Sequence, residues 1–226
     1  MSGVRSSLAA SLNPVSRHAI AALVVLAVVA CGGAAPAVQG ATVSSVAVQP
    51  TDLPKGMVKC DLSGDIDSFL SKEKTADPST YQSTSAEWAD AKSKGATAAY
   101  AAVYSDSAAH CAAIKSSGSD IGAAAYKVVI NFVIQFKDEA SAAKGYTTEK
   151  IFNFSASELK AGGQQVVEGT KTGLSANSIV LDTLIASQTY YIAVWQSKTL
   201  MVILAVINLD SAAAKKVAVG ENNRTK

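Results

Sequence analysis

The chain has 226 residues, 49% of them hydrophobic and 17% charged, with 20 basic and 18 acidic side chains. Arg5 and Arg17 precede every acid; beyond residue 30 the two signs balance at 18 each, and Arg224 is the only arginine left. A neutral, arginine-poor chain argues against a nucleic-acid partner, whose affinity comes largely from cationic contacts to phosphate. A single histidine past the leader, His110, excludes a histidine-rich metal site.

The first thirty residues stand apart. Arg5, Arg17 and His18 lie in an acid-free start, followed by an unbroken apolar run from Ala19 to Ala30. That run suits a signal-peptide core and falls short of the roughly 20 residues a membrane-spanning helix needs. It ends in Val28-Val29-Ala30-Cys31, which resembles the lipobox of bacterial lipoproteins. The resemblance implies a diacylglyceryl group on the Cys31 thiol, cleavage before that residue and acylation of the new amine. Two or three chains, at about 0.8 kcal/mol per buried methylene, make a stable anchor in a lipid bilayer. Gly32, in place of aspartate, does not mark retention in an inner membrane. An ordinary signal peptide, or a short buried helix with a chance cysteine, is the alternative. The expected division is a leader over 1–30, a lipidated cysteine and flexible spacer over 31–50, and a single α+β extracytoplasmic domain over 51–226.

Gly32 to Gly40 is rich in Gly, Ala and Pro and reads as spacer. Thr42 to Val48 is an edge strand or more spacer, and Pro50 and Pro54 bracket the start of the domain. Ser63 is placed to cap a short helix carrying Ile66, Phe69 and Leu70 on one face. Asp77-Pro78 is a break. Thr84 and Glu87 have capping-box spacing, Gly95 suits a helix end, and Ser85 to Lys94 is therefore expected to be a helix anchored by Trp88.

Three units then share one pattern. Strand-like Thr97–Ser105, Lys127–Phe136 and Leu200–Leu209 each run into an aspartate (Asp106, Asp138, Asp210) and an alanine-rich helix. The aspartate caps free amides in the first turn. Either duplication or capping alone accounts for the recurrence. Between the second and third units, Gln164–Glu168, Ser178–Leu184 and Tyr190–Trp195 read as strands, the last forming a hairpin with Leu200–Leu209. Leu200 to Val206 is apolar on both faces, as in a central strand covered on both sides. Gly169–Asn177 is a polar loop, and Glu221–Lys226 reads as a frayed end. Strands outnumber helices and connections are short. The expected class is α+β, with a curved, mostly antiparallel sheet and helices packed mainly on one face.

No catalytic constellation is evident, and no cofactor is called for. Cys60 and Cys111 are a disulfide or, failing that, a metal or redox pair. His110 sits beside Cys111 and reads as structural or solvent-facing. Asp61, Asp65 and Asp67 fail the calcium-loop test, because the sixth position is Ile66 and the twelfth Lys72. Gly162-Gly163 is a turn with no phosphate-loop lysine. Tyr100, Tyr104, Tyr190, Tyr191 and Trp195 remain. Alternation puts Tyr191 and Trp195 on one face and Tyr190 on the other. Core packing is the plain reading; a ligand cleft lined by Tyr190, Tyr191 and Trp195 is the functional one.

From Ala96 onward, a strand before an alanine-rich helix and a late hairpin before a final helix are similar to extracellular sensor-like domains of bacterial envelope proteins, including the family outside some actinobacterial serine/threonine kinases. The resemblance implies a non-catalytic domain that binds a small ligand, a wall polymer or an envelope protein. The alternatives are a structural envelope lipoprotein, or a hydrolase using two carboxylates roughly 5–9.5 Å apart.

Overall fold

Residues 41–148 and 155–226 are described by a computed structural model. The leader, the lipobox and Cys31 lie outside them. Among the described residues, eight strands form one open sheet in which every pairing is antiparallel. They are β1 (Val58–Lys59), β2 (Gly64–Asp65), β3 (Ala96–Ser105), β4 (Val128–Phe136), β5 (Val166–Glu168), β6 (Asn177–Ile185), β7 (Gln188–Ser197) and β8 (Leu200–Ile207). The order across the sheet is β1-β3-β4-β8-β7-β6-β5, with β2 also paired to β3. β8 is central and all its residues are buried, as a strand apolar on both faces requires.

Alternation along the strands divides the core in two. One face carries Val128, Ile130, Phe132, Ile134 and Phe136 of β4 and packs under helices α2 (Ile66–Ala76), α3 (Pro78–Ser93), α4 (Ala108–Ser116), α5 (Glu139–Thr148) and α6 (Ala156–Ala161). The other carries Val129 and Val133, with Tyr191, Ala193 and Trp195 of β7, and is covered by α7 (Ser211–Arg224) and by a helical turn, α1 (Val43–Val46). Most helices therefore share one face, and the α+β class is the one expected.

Several local readings need correction. Thr42 to Val48 is neither edge strand nor spacer: Val46, Ala47 and Val48 are fully buried against the sheet. The Val48 amide donates to Asn131 Oδ1 at 3.0 Å, so the packed domain begins before residue 51. α2 is capped by Asp65, which accepts from the Ser68 amide at 2.9 Å, while Ser63 instead bridges to the backbone of Val103. The helix expected to start at Ser85 begins at Pro78, whose fixed φ suits the first turn, with Asp77 as its cap. Thr84 is buried within it.

Asp138 and Asp210 cap α5 and α7, but in the first unit Ser107 does so; Asp106 is engaged by His110 and by the Lys127 amide. The end does not fray. Glu221, Asn222 and Thr225 are buried, and Arg224 reaches Asp52 at 2.7 and 3.0 Å and the carbonyls of Val46 and Ala47.

Candidate binding cavity

A cavity of about 460 Å³ lies between the sheet and the helices of the more heavily covered face. Its base is the inward side of four strands: Val103 of β3, Ile130 and Phe132 of β4, Ala205 and Ile207 of β8, and Tyr190 and Ile192 of β7. Ala205 stands in register between Ile130 and Ile192. A small residue between two large ones leaves a depression there. Above it are Phe69 and Glu73 of α2, Thr80 and Thr84 of α3, Ile114 of α4, and Gly118, Ile121 and Gly122 of the 3-10 segment Gly118–Ala123. At Gly122 a side chain would meet nothing within 4 Å, so the wall is open there as well.

Glu73 is the chemical feature of this wall. It occupies the fourth position of the buried stripe Ile66, Phe69, Leu70, Glu73, is 1% exposed, and its Oε2 has no hydrogen-bond partner. Burial, and then the neighbouring Asp77 charge, push its pKa up to about 7, against the pull of Lys115. A lone carboxyl on an apolar wall is costly to ionise.

Asp77 is its opposite. It accepts from Ser79 Oγ (2.6 Å), from Thr80 N (3.1 Å) and Oγ1 (2.8 Å), and from the Gly118 amide (2.9 Å). Those bonds, led by Ser79, hold its carboxyl far below the ordinary range. It ties the α2–α3 junction to the 3-10 segment and is not among the cavity-lining residues.

The expected site residues separate. Tyr190 lines the cavity; its hydroxyl is shared between the Gly122 carbonyl (2.5 Å) and Gln188 Oε1 (2.8 Å), latching β7 to the 3-10 segment. Tyr191 and Trp195 are buried in the other core and do not meet it. Tyr104 is in that core too, its hydroxyl donating to the Val48 carbonyl at 2.9 Å. Tyr100 packs against the same core and accepts from Lys59 Nζ at 2.9 Å. Cys60 and Cys111 are joined, S–S 1.98 Å, which ties α4 and its Ile114 to the β1 edge. His110 stacks on Tyr126 with ring centroids 4.1 Å apart, its Nδ1 2.5 Å from Asp106 Oδ1. Asp61 pairs with Lys115 at 3.1 Å. Among the described residues no group of three or more His, Cys, Asp or Glu is arranged to hold a metal.

Glu73 was overlooked in the sequence because Lys72-Glu73-Lys74 looks like solvated surface. The signal was the stripe itself: positions 66, 69 and 70 point to 73 as the next inward position.

Neither a protein-family model nor a curated protein sequence matches the chain. In structure it is similar to the extracellular domain of PknH from Mycobacterium tuberculosis, with 14% sequence identity, 81% of this chain and 94% of that one covered, and a TM-score of 0.46.

Proposed function

We propose that the protein is an extracytoplasmic lipoprotein, held to a bilayer through an acylated Cys31, whose domain binds a small, largely apolar molecule without transforming it. One observation carries the binding reading: a cavity of about 460 Å³, within the range of small-molecule sites, lined mainly by apolar side chains with one buried carboxyl on its wall. Two-carboxylate hydrolysis needs a second acid facing the same groove, and Asp77 is committed to its four hydrogen bonds. The acid-free leader and the lipobox support the tether.

The test of binding uses the full chain in lipid nanodiscs with labelled isoleucine methyls. Hexanol should shift the methyl signals of cavity-lining Ile114 and Ile192 and leave fully buried Ile134 unmoved. Ala205→Leu, which fills the depression, should abolish the response. Signals that stay put, or that respond equally in Ala205→Leu, would defeat the reading. The tether is tested separately: incorporation of labelled palmitate should be lost in Cys31→Ala, and incorporation that persists would overturn it.

A further inference from the structure

We propose that the ligand is a cationic amphiphile, with a short apolar body on the sheet and a protonated primary amine seated against Glu73. This rests on the cavity being the binding site.

The wall's polar groups decide the head. The Gly118 amide and the Thr80 hydroxyl proton are both given to Asp77, and the Tyr190 hydroxyl proton to Gly122 or Gln188. These donors are spent and the Thr84 hydroxyl also lines the wall, whereas Glu73 Oε2 is an acceptor with no partner, on a side chain 1% exposed. A ligand that satisfies Glu73 must bring hydrogen-bond donors. An ammonium has three of them and no acceptor, and its bond to a carboxylate is charge-assisted. Thr80 can still offer lone pairs on the same wall.

Charge points the same way. Asp77 and Lys115 are the charged groups acting on Glu73. Lys115 is engaged by Asp61 at 3.1 Å and does not line the cavity, so an anionic head would meet the Glu73 carboxyl with no lysine or arginine among the described lining residues. The remaining surface, including Phe69, Ile130, Phe132 and Ile192, suits a hydrocarbon body.

The isoleucine-methyl titration is repeated at pH 8 with hexylamine, hexanol and hexanoate, which share one chain length and differ in the head. Hexylamine should bind about tenfold tighter than hexanol, with hexanoate weakest. In Glu73→Gln the amine and alcohol should come together while hexanol binding persists. Should that variant not fold, carboxyl carbon NMR of the unaltered protein decides: hexylamine must lower the Glu73 pKa, and hexanol must not. Equal binding of amine and alcohol, or a preference for hexanoate, overturns the assignment of the head and leaves the cavity reading standing. No methyl response to any of the three overturns both.

Discussion

Glu73 makes stability depend on pH in a direction fixed by its surroundings. Its pKa of about 7 in the folded chain stands against an ordinary 4.5. The folded state keeps this proton to higher pH than the unfolded state, so unfolding releases it in that interval. The contribution is fully present below pH 4.5, falls as pH rises through 7 and is then lost. Two and a half pH units correspond to about 3 kcal/mol. For a domain of this size that is roughly 6–12 °C in melting temperature. Glu73→Gln keeps the shape and removes the charge. Its melting temperature should match that of the unaltered chain near pH 4.5 and exceed it at pH 8.

The difference between the two proteins cancels every other titrating group, including Glu221, which burial pushes up in the same sense. Trp88 and Trp195, one in each core, serve as fluorescence reporters of both layers. A difference that stays constant from pH 5 to pH 8 would refute the assignment of this titration to Glu73.

Three further predictions concern the frame around the cavity. Reducing Cys60–Cys111, which are 51 residues apart, removes a constraint worth about 4 kcal/mol; thermal melts with and without reductant should differ by roughly 10 °C. Glu221 is fully buried, and burial, against the pull of Asn131 and Arg224, favours its neutral form, so Glu221→Gln should stabilise the chain by about 1–3 kcal/mol at pH 8 and leave it unchanged at pH 4, as read by denaturant titration. A Cβ at Gly145 would lie 2.8 Å from Phe136 Cζ, and Phe136 is 1% exposed. Gly145→Ala should therefore cost about 1–3 kcal/mol in spite of its better helix propensity, whereas Gly122→Ala, with open space around it, should be tolerated in the same melts.

The elements legible in the sequence were those with a strong period. The β-branched runs and the late hairpin needed only their short-range pattern to be recognised, and the central strand only its continuous apolar run. Local polar signals were ambiguous, because one residue type serves several purposes. Thr84 and Glu87 have the spacing of a cap yet lie inside α3, since Asp77-Pro78 starts that helix about two turns earlier. Asp106 has the position of a cap but is held by His110, and Ser107 does the capping. The polar C-terminus looked loose because its partners, Asp52 and the carbonyls of Val46 and Ala47, are far away in sequence. For the cavity, alternation separated Tyr190 from Tyr191 and Trp195 but could not say which face is left unfilled. That depends on Ala205 sharing a cavity with Gly118 and Gly122 of a distant segment, a matter of tertiary packing.

The Arg224 clamp has a consequence for how the domain is assembled. Its guanidinium grips carbonyls 177 and 178 positions earlier. The layer over the second sheet face is therefore fastened by a contact between segments far apart in sequence, with α7 holding α1 in place. Arg224→Ala would remove four hydrogen bonds at once, two to the Asp52 carboxylate and one each to the carbonyls of Val46 and Ala47, loosening the start of the domain by an alteration in its last helix.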